Sequence, residues 1–106
     1  MNGKRIQGIY SKHLAGRKEL KELGKHVNMG LAYGELGRYK KAAVSLKRAI
    51  ALEPDDAEIR FGLGVALFLS GDKGAALRQC LKLRGIDRKL GYELYSMIKA
   101  HPTPQL

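Results

Sequence analysis

The chain has 106 residues, 44% of them hydrophobic, which suits one domain with a modest core and excludes a wholly disordered segment. Twenty Lys and Arg against ten Asp and Glu give a formal charge of +10, which permits anionic partners but indicates no fold. No apolar run approaches the ~20 residues of a membrane-spanning helix, and no secretory signal is visible, so we expect a cytoplasmic protein without a transmembrane segment.

The first part of the chain, 1–22, is predicted to be an N-terminal helical segment that caps the helices after it. Its apolar residues recur at helical spacing, and they are Ile6, Ile9, Tyr10 and Leu14. We expect this helix to cover about 4–15 and to end near Gly16.

The middle of the chain repeats itself after 34 residues. A shift of this length aligns four pairs of identical residues: Gly30 with Gly64, Ala32 with Ala66, Gly37 with Gly71, and Ala42 with Ala76. Because these are small residues, which allow helices to approach each other closely, the period predicts a repeated packing unit.

The first unit, 23–56, is predicted to be a pair of helices. One covers 24–36 and ends at Gly37, which can adopt the left-handed backbone conformation. The other covers 39–52 and ends before Pro54. The second helix has an apolar inner stripe, formed by Ala42, Ala43, Leu46, Ala49 and Ile50.

The second unit, 57–90, is predicted to have the same plan, with helices over 57–70 and 73–84 around a stop at Gly71. A further helix, 88–101, overlaps the end of this unit and is predicted to cap the array. The last residues, 102–106, contain two prolines and are predicted to be a frayed tail. The chain is therefore predicted to be all-α, with about six helices.

Both units resemble the tetratricopeptide repeat family, whose motif is Trp-x2-Leu-Gly-x2-Tyr, then Ala-x3-Phe, then Pro. The first unit reads His26-x2-Met29-Gly30-x2-Tyr33, then Ala42-x3-Leu46, then Ala49 and Pro54. The second reads Arg60-x2-Leu63-Gly64-x2-Leu67, then Ala76-x3-Cys80, then Leu83 and Arg88. The resemblance covers about 23–90. It implies an α-α superhelix, a solenoid of helix-turn-helix repeats, with Gly30 and Gly64 at tight helix–helix contacts.

The resemblance also implies a protein-interaction scaffold that holds a partner's peptide segment in a concave groove. In that family the first helix of each repeat lines the groove. Carried over by position, the groove residues are Val27, Leu31, Glu35, Phe61, Val65, Phe68, Leu69, Tyr92 and Tyr95. Their apolar character leaves two occupants open: another protein or peptide, for which an acidic one is a candidate, or this chain itself through its N-terminal helix or as a homo-oligomer.

Basic residues cluster on the second helix of each unit, on the side that the resemblance places outside. Such a charged face is often simply solvated. The functional alternative is binding of nucleic acid or another anionic surface, with Lys40, Lys41, Lys73 and Arg78 as candidate anion-binding residues. A self-associating assembly subunit is the other alternative.

No catalytic or metal-binding pattern is visible in the sequence. His13, His26 and His101 are too far apart for a local ligand pair, and the one cysteine, Cys80, falls on the inner stripe of a helix. The sequence therefore predicts a protein that is not an enzyme and has neither a metal nor another cofactor.

Overall fold

A computed structural model describes residues 17–101, and every regular element in that range is an α-helix. The five helices are α1 (Arg17–Glu35), α2 (Tyr39–Leu52), α3 (Ala57–Leu69), α4 (Lys73–Arg84) and α5 (Arg88–Ala100). The predicted all-α class is confirmed. The predicted helix at about 4–15 and the predicted tail 102–106 lie outside the described residues.

The first helix begins at Arg17, whereas the sequence analysis predicted that it begins at 24. The residues before Gly24 are mainly Lys, Glu and Leu, which are strong helix formers, so the helix extends through this glycine. The other four helices begin where the sequence predicts and end within one residue of the predicted position.

Each helix packs against the next along the chain, and α3 also packs against α5. The helix α3 is therefore the centre of the fold, which explains why it is apolar on nearly all sides. The core residues with the largest fully buried side chains are Leu63, Leu83, Leu94 and Ile98.

Glycines mark the closest helix contacts. A Cβ atom at Gly30 would lie 2.7 Å from Cγ of Leu46 on α2, and one at Gly64 would overlap the side chain of Leu94 on α5. The predicted tight contacts at both repeated glycines are thus confirmed. A third glycine, Gly91, lies against the backbone of α4.

The turns inside the two helix pairs have the same geometry. Gly37 and Gly71 adopt φ angles of 75° and 97°, which side chains disfavour. The next residue donates its N–H back into the helix, from Arg38 to the carbonyl of Tyr33 and from Asp72 to that of Leu67, at 2.8 and 2.9 Å. This is the Schellman arrangement, and its repetition supports two equivalent units.

Aspartates start three of the helices. The Oδ1 atoms of Asp56, Asp72 and Asp87 accept hydrogen bonds from N–H groups three residues later, at 3.0, 3.0 and 3.1 Å. Such caps satisfy amide groups that have no partner inside the helix. At the start of α2 the equivalent residue is Arg38, whose side chain makes no capping bond.

Candidate protein-binding surfaces

One candidate surface is a stripe along the first helix of each unit. Val27, Leu31 and Glu35 lie one turn apart on α1, and a shift of 34 residues pairs them with residues of α3. We call this set the groove stripe, and its members are Val27, Leu31, Glu35, Phe61, Val65 and Leu69. The pairing shows that the two helices present equivalent positions.

The groove stripe is more open on α1 than on α3. Leu31 is 60% exposed and Glu35 is exposed, whereas Val27 is half-buried. On α3 the residues Phe61, Val65 and Leu69 are half-buried and pack against the core. The difference arises because α3 is covered by α2, α4 and α5, whereas α1 packs mainly against α2.

Phe68 is not a groove residue, contrary to the sequence-based prediction. Its side chain is 3% exposed and belongs to the core cluster. The prediction placed it on an open side of α3, but that helix has neighbours on several sides, and burial of the ring stabilises their packing.

The second candidate surface is a cleft of about 650 Å³ between α4 and α5, which we call the end cleft. Its lining residues are Leu77, Cys80, Leu81, Arg84, Arg88, Gly91, Tyr92 and Tyr95. Tyr92 and Tyr95 were predicted to share a groove with α1 and α3, but the structure places them beside α4 in this cleft. Leu77, Leu81 and the two arginines were not predicted as site residues.

The end cleft combines apolar and cationic groups. Leu81 and Tyr92 are 64% and 69% exposed, and Arg84 and Arg88 are also exposed. Within residues 17–101, no Asp or Glu side chain lines the cleft. The arrangement can therefore hold an apolar segment that also carries negative charge.

Cys80 contributes to the wall of the end cleft but is buried. Burial raises the pKa of its thiol above the ordinary value, because the thiolate would lose solvation. A higher pKa keeps the sulfur in its unreactive protonated form at neutral pH. The structure therefore supports a packing role for Cys80.

The four candidate anion-binding residues, Lys40, Lys41, Lys73 and Arg78, are all exposed on α2 and α4. Lys41 extends over the ring of Tyr33, with Nζ 5.8 Å from the ring centre. The 34-residue shift pairs these positions with uncharged residues, so the cationic groups do not repeat from unit to unit. Anion binding by these residues stays a prediction.

Residues 17–101 contain no cluster of His, Cys, Asp and Glu that could hold a metal ion. No helix in this part of the chain is both long and apolar enough to cross a membrane. His13 lies outside the described residues.

Comparison with known proteins identifies the repeat. The sequence profile described as TPR repeat, the abbreviation for tetratricopeptide repeat, matches residues 26–71. The resemblance to tetratricopeptide repeats is thus confirmed over these residues. The TPR match spans the second half of α1, all of α2 and α3, and the turn after α3.

A curated relative supports the TPR assignment. A protein named Protein CTR9 homolog, from Arabidopsis thaliana, is 38% identical over 66 residues, or 62% of this chain. The chain spans only 6% of that relative's length. No solved structure matches the chain significantly. TPR repeats mediate interactions between proteins, and stacked repeats offer concave surfaces for this purpose.

Proposed function

We propose that the chain binds an extended or helical segment of another protein along the groove stripe, without catalysing a reaction. The observation that carries this proposal is the exposure of Leu31 at a position whose equivalent on α3, Val65, is also apolar. An exposed leucine in the same register as other apolar residues offers anchoring sites at equivalent positions of the two helices.

The anchoring comes from apolar contact. Phe61, Val65 and Leu69 already pack against the core on one side, so their remaining exposed surface is held in place before a partner arrives. Apolar surface removed from water contributes ~25 cal/mol per Å², and fixed side chains lose little conformational freedom on binding. The excess of positive charge would accelerate association with an acidic segment.

A displayed peptide library, selected on the intact chain, would supply binding probes for a test. The selected peptides would be titrated by fluorescence anisotropy against the wild type and against Leu31→Ser. We expect this substitution to weaken binding about tenfold, because an apolar anchor is lost. The fold should be unaffected, since most of this side chain is already in water.

Val44→Ser is the matched control. Val44 is an aliphatic residue that is 50% exposed, but it lies on α2, outside the groove stripe. Selected peptides should bind this variant as tightly as the wild type. Equal binding to the wild type and to Leu31→Ser, or weakening by Val44→Ser alone, would contradict the proposal.

A further inference from the structure

The end cleft lies where the second helix of a further unit would pack. The helices α3 and α5 can be aligned by their N-terminal caps, Asp56 and Asp87. In this alignment the buried Leu63 and Leu67 of α3 correspond to the buried Leu94 and Ile98 of α5. In this alignment Tyr95 takes the place of Gly64. A Cβ at Gly64 would overlap the side chain of Leu94 on α5 and would lie 3.4 Å from the Gln79 Cβ on α4, so the glycine faces both helices. Tyr95, correspondingly, lines the end cleft.

Tyr95 makes this position unlike the one on α3. Gly64 leaves room for Leu94 of α5 and Gln79 of α4, whereas a tyrosine ring at this position holds an incoming helix further away. The ring is 43% exposed, and Nζ of Lys99 lies 5.9 Å from its centre. The cleft therefore accepts a helix that docks by its side chains, at a larger distance than helices of one array.

The walls of the end cleft are also more apolar than the outer face of a capping unit requires. Capping units of repeat arrays present a polar outer face, which keeps the array soluble. Here Tyr92 and Leu81 project from the two walls of the cleft and are largely exposed. Tyrosine combines a large apolar ring with a polar end, which is typical of protein interfaces.

Charge restricts the occupant. Arg84 and Arg88 line the cleft, and its described lining residues include no carboxylate that could pair with them. A second copy docked symmetrically on the same cleft would bring like charges together, and each copy has a formal charge of +10. An occupant with Asp or Glu beside its apolar residues would instead complement both arginines.

We propose that the end cleft binds an acidic amphipathic helix of another protein. The leucine and tyrosine side chains would contact its apolar face, and Arg84 and Arg88 would pair with its carboxylates. This surface lies on α4 and α5, apart from the groove stripe on α1 and α3, so either proposal can fail alone.

The test uses two synthetic amphipathic helical peptides that share one leucine stripe and carry either Glu or Lys on the polar face. Binding to the intact chain would be measured by fluorescence anisotropy. We expect the Glu peptide to bind more tightly than the Lys peptide. Leu81→Ser should weaken its binding about tenfold. Arg84→Gln combined with Arg88→Gln should weaken binding of the Glu peptide about three- to tenfold, and this loss should be smaller at high salt.

Matched substitutions elsewhere serve as controls. Leu36→Ser removes a leucine that is 69% exposed outside the cleft, and Lys82→Gln combined with Arg48→Gln removes two charges outside it. Neither should change binding of the Glu peptide by more than about twofold once the general charge effect is screened. Circular dichroism should show the same helix content in all variants.

Four results would overturn the proposal. One is equal or tighter binding of the Lys peptide, and another is equal loss of binding in the control variants. A third is loss with Leu31→Ser but not with Leu81→Ser, which would place the peptide on the groove stripe. The fourth is a dimer in sedimentation that Leu81→Ser converts to a monomer, which would make a second copy the occupant.

Discussion

Arg60 shows how one residue can depart from the TPR motif and still serve the fold. The motif has a bulky apolar residue at this position, yet Arg60 is 6% exposed. Its guanidinium donates from Nη1 to Oε1 of Gln79 at 2.8 Å, and from Nη2 to the carbonyl of Pro54 at 2.7 Å. The side chain thus ties α3 both to α4 and to the turn that precedes it.

Removal of this side chain should destabilise the protein. Arg60→Ala would leave a cavity and would remove the donor from two partly buried acceptors, so the free energy of unfolding should fall by ~2–4 kcal/mol in urea titrations. In a double-mutant cycle with Gln79→Ala the losses should be less than additive, because the residues share a hydrogen bond. Arg78→Ala, at an exposed position on α4, should change stability by less than ~0.5 kcal/mol. Similar effects at both arginines would contradict this role.

At the scale of the helix, glycine has two different effects within α1. Among the described residues, no heavy atom outside the helix's own backbone lies within 4 Å of a Cβ placed on Gly24, whereas a Cβ at Gly30 would overlap Leu46. The first glycine only weakens the helix, while the second makes room for α2. One substitution at two sites of a single helix can therefore separate helix propensity from packing.

Gly24→Ala should raise the free energy of unfolding by up to ~1 kcal/mol, because alanine favours the helix. Gly30→Ala gains the same preference but must displace Leu46, which is buried, so we expect a net loss of ~1–3 kcal/mol. Chemical unfolding monitored by circular dichroism measures both. Two stabilised variants would show that the contact between α1 and α2 is looser than described.

The predictability of each element from sequence depended on whether its signal was local. The repeated glycines and Pro54 allowed the turns and helix pairs to be predicted, because each acts on its own neighbourhood. Phe68 was misplaced because its burial depends on several helices packing around α3. The end cleft could not be predicted from the 34-residue period. Ile98 lies one period after Gly64, but α4 is two residues shorter than α2 and the turn after it is one residue shorter, so Tyr95 takes the equivalent position.

At the scale of the molecule, the described part is elongated, measuring 46 × 27 × 17 Å. Stacked helix pairs leave long faces and two ends open to solvent. Small residues and one buried arginine lie at the helix contacts of the described part. Exposed leucines and tyrosines lie on one long face and at one end. This distribution leaves two separate apolar surfaces exposed on a molecule with a small core.

Binding of a partner segment along the groove stripe is the central claim. Methyl chemical shifts of the labelled chain, recorded while a library-selected peptide is added, test it most directly. We expect large shift changes at Leu31 and Val65, which are equivalent positions on the first helices of the two units, and unchanged shifts at Val44. Changes confined to Val44 and other methyl groups of α2 would contradict the claim, because they would place the partner on the second helices.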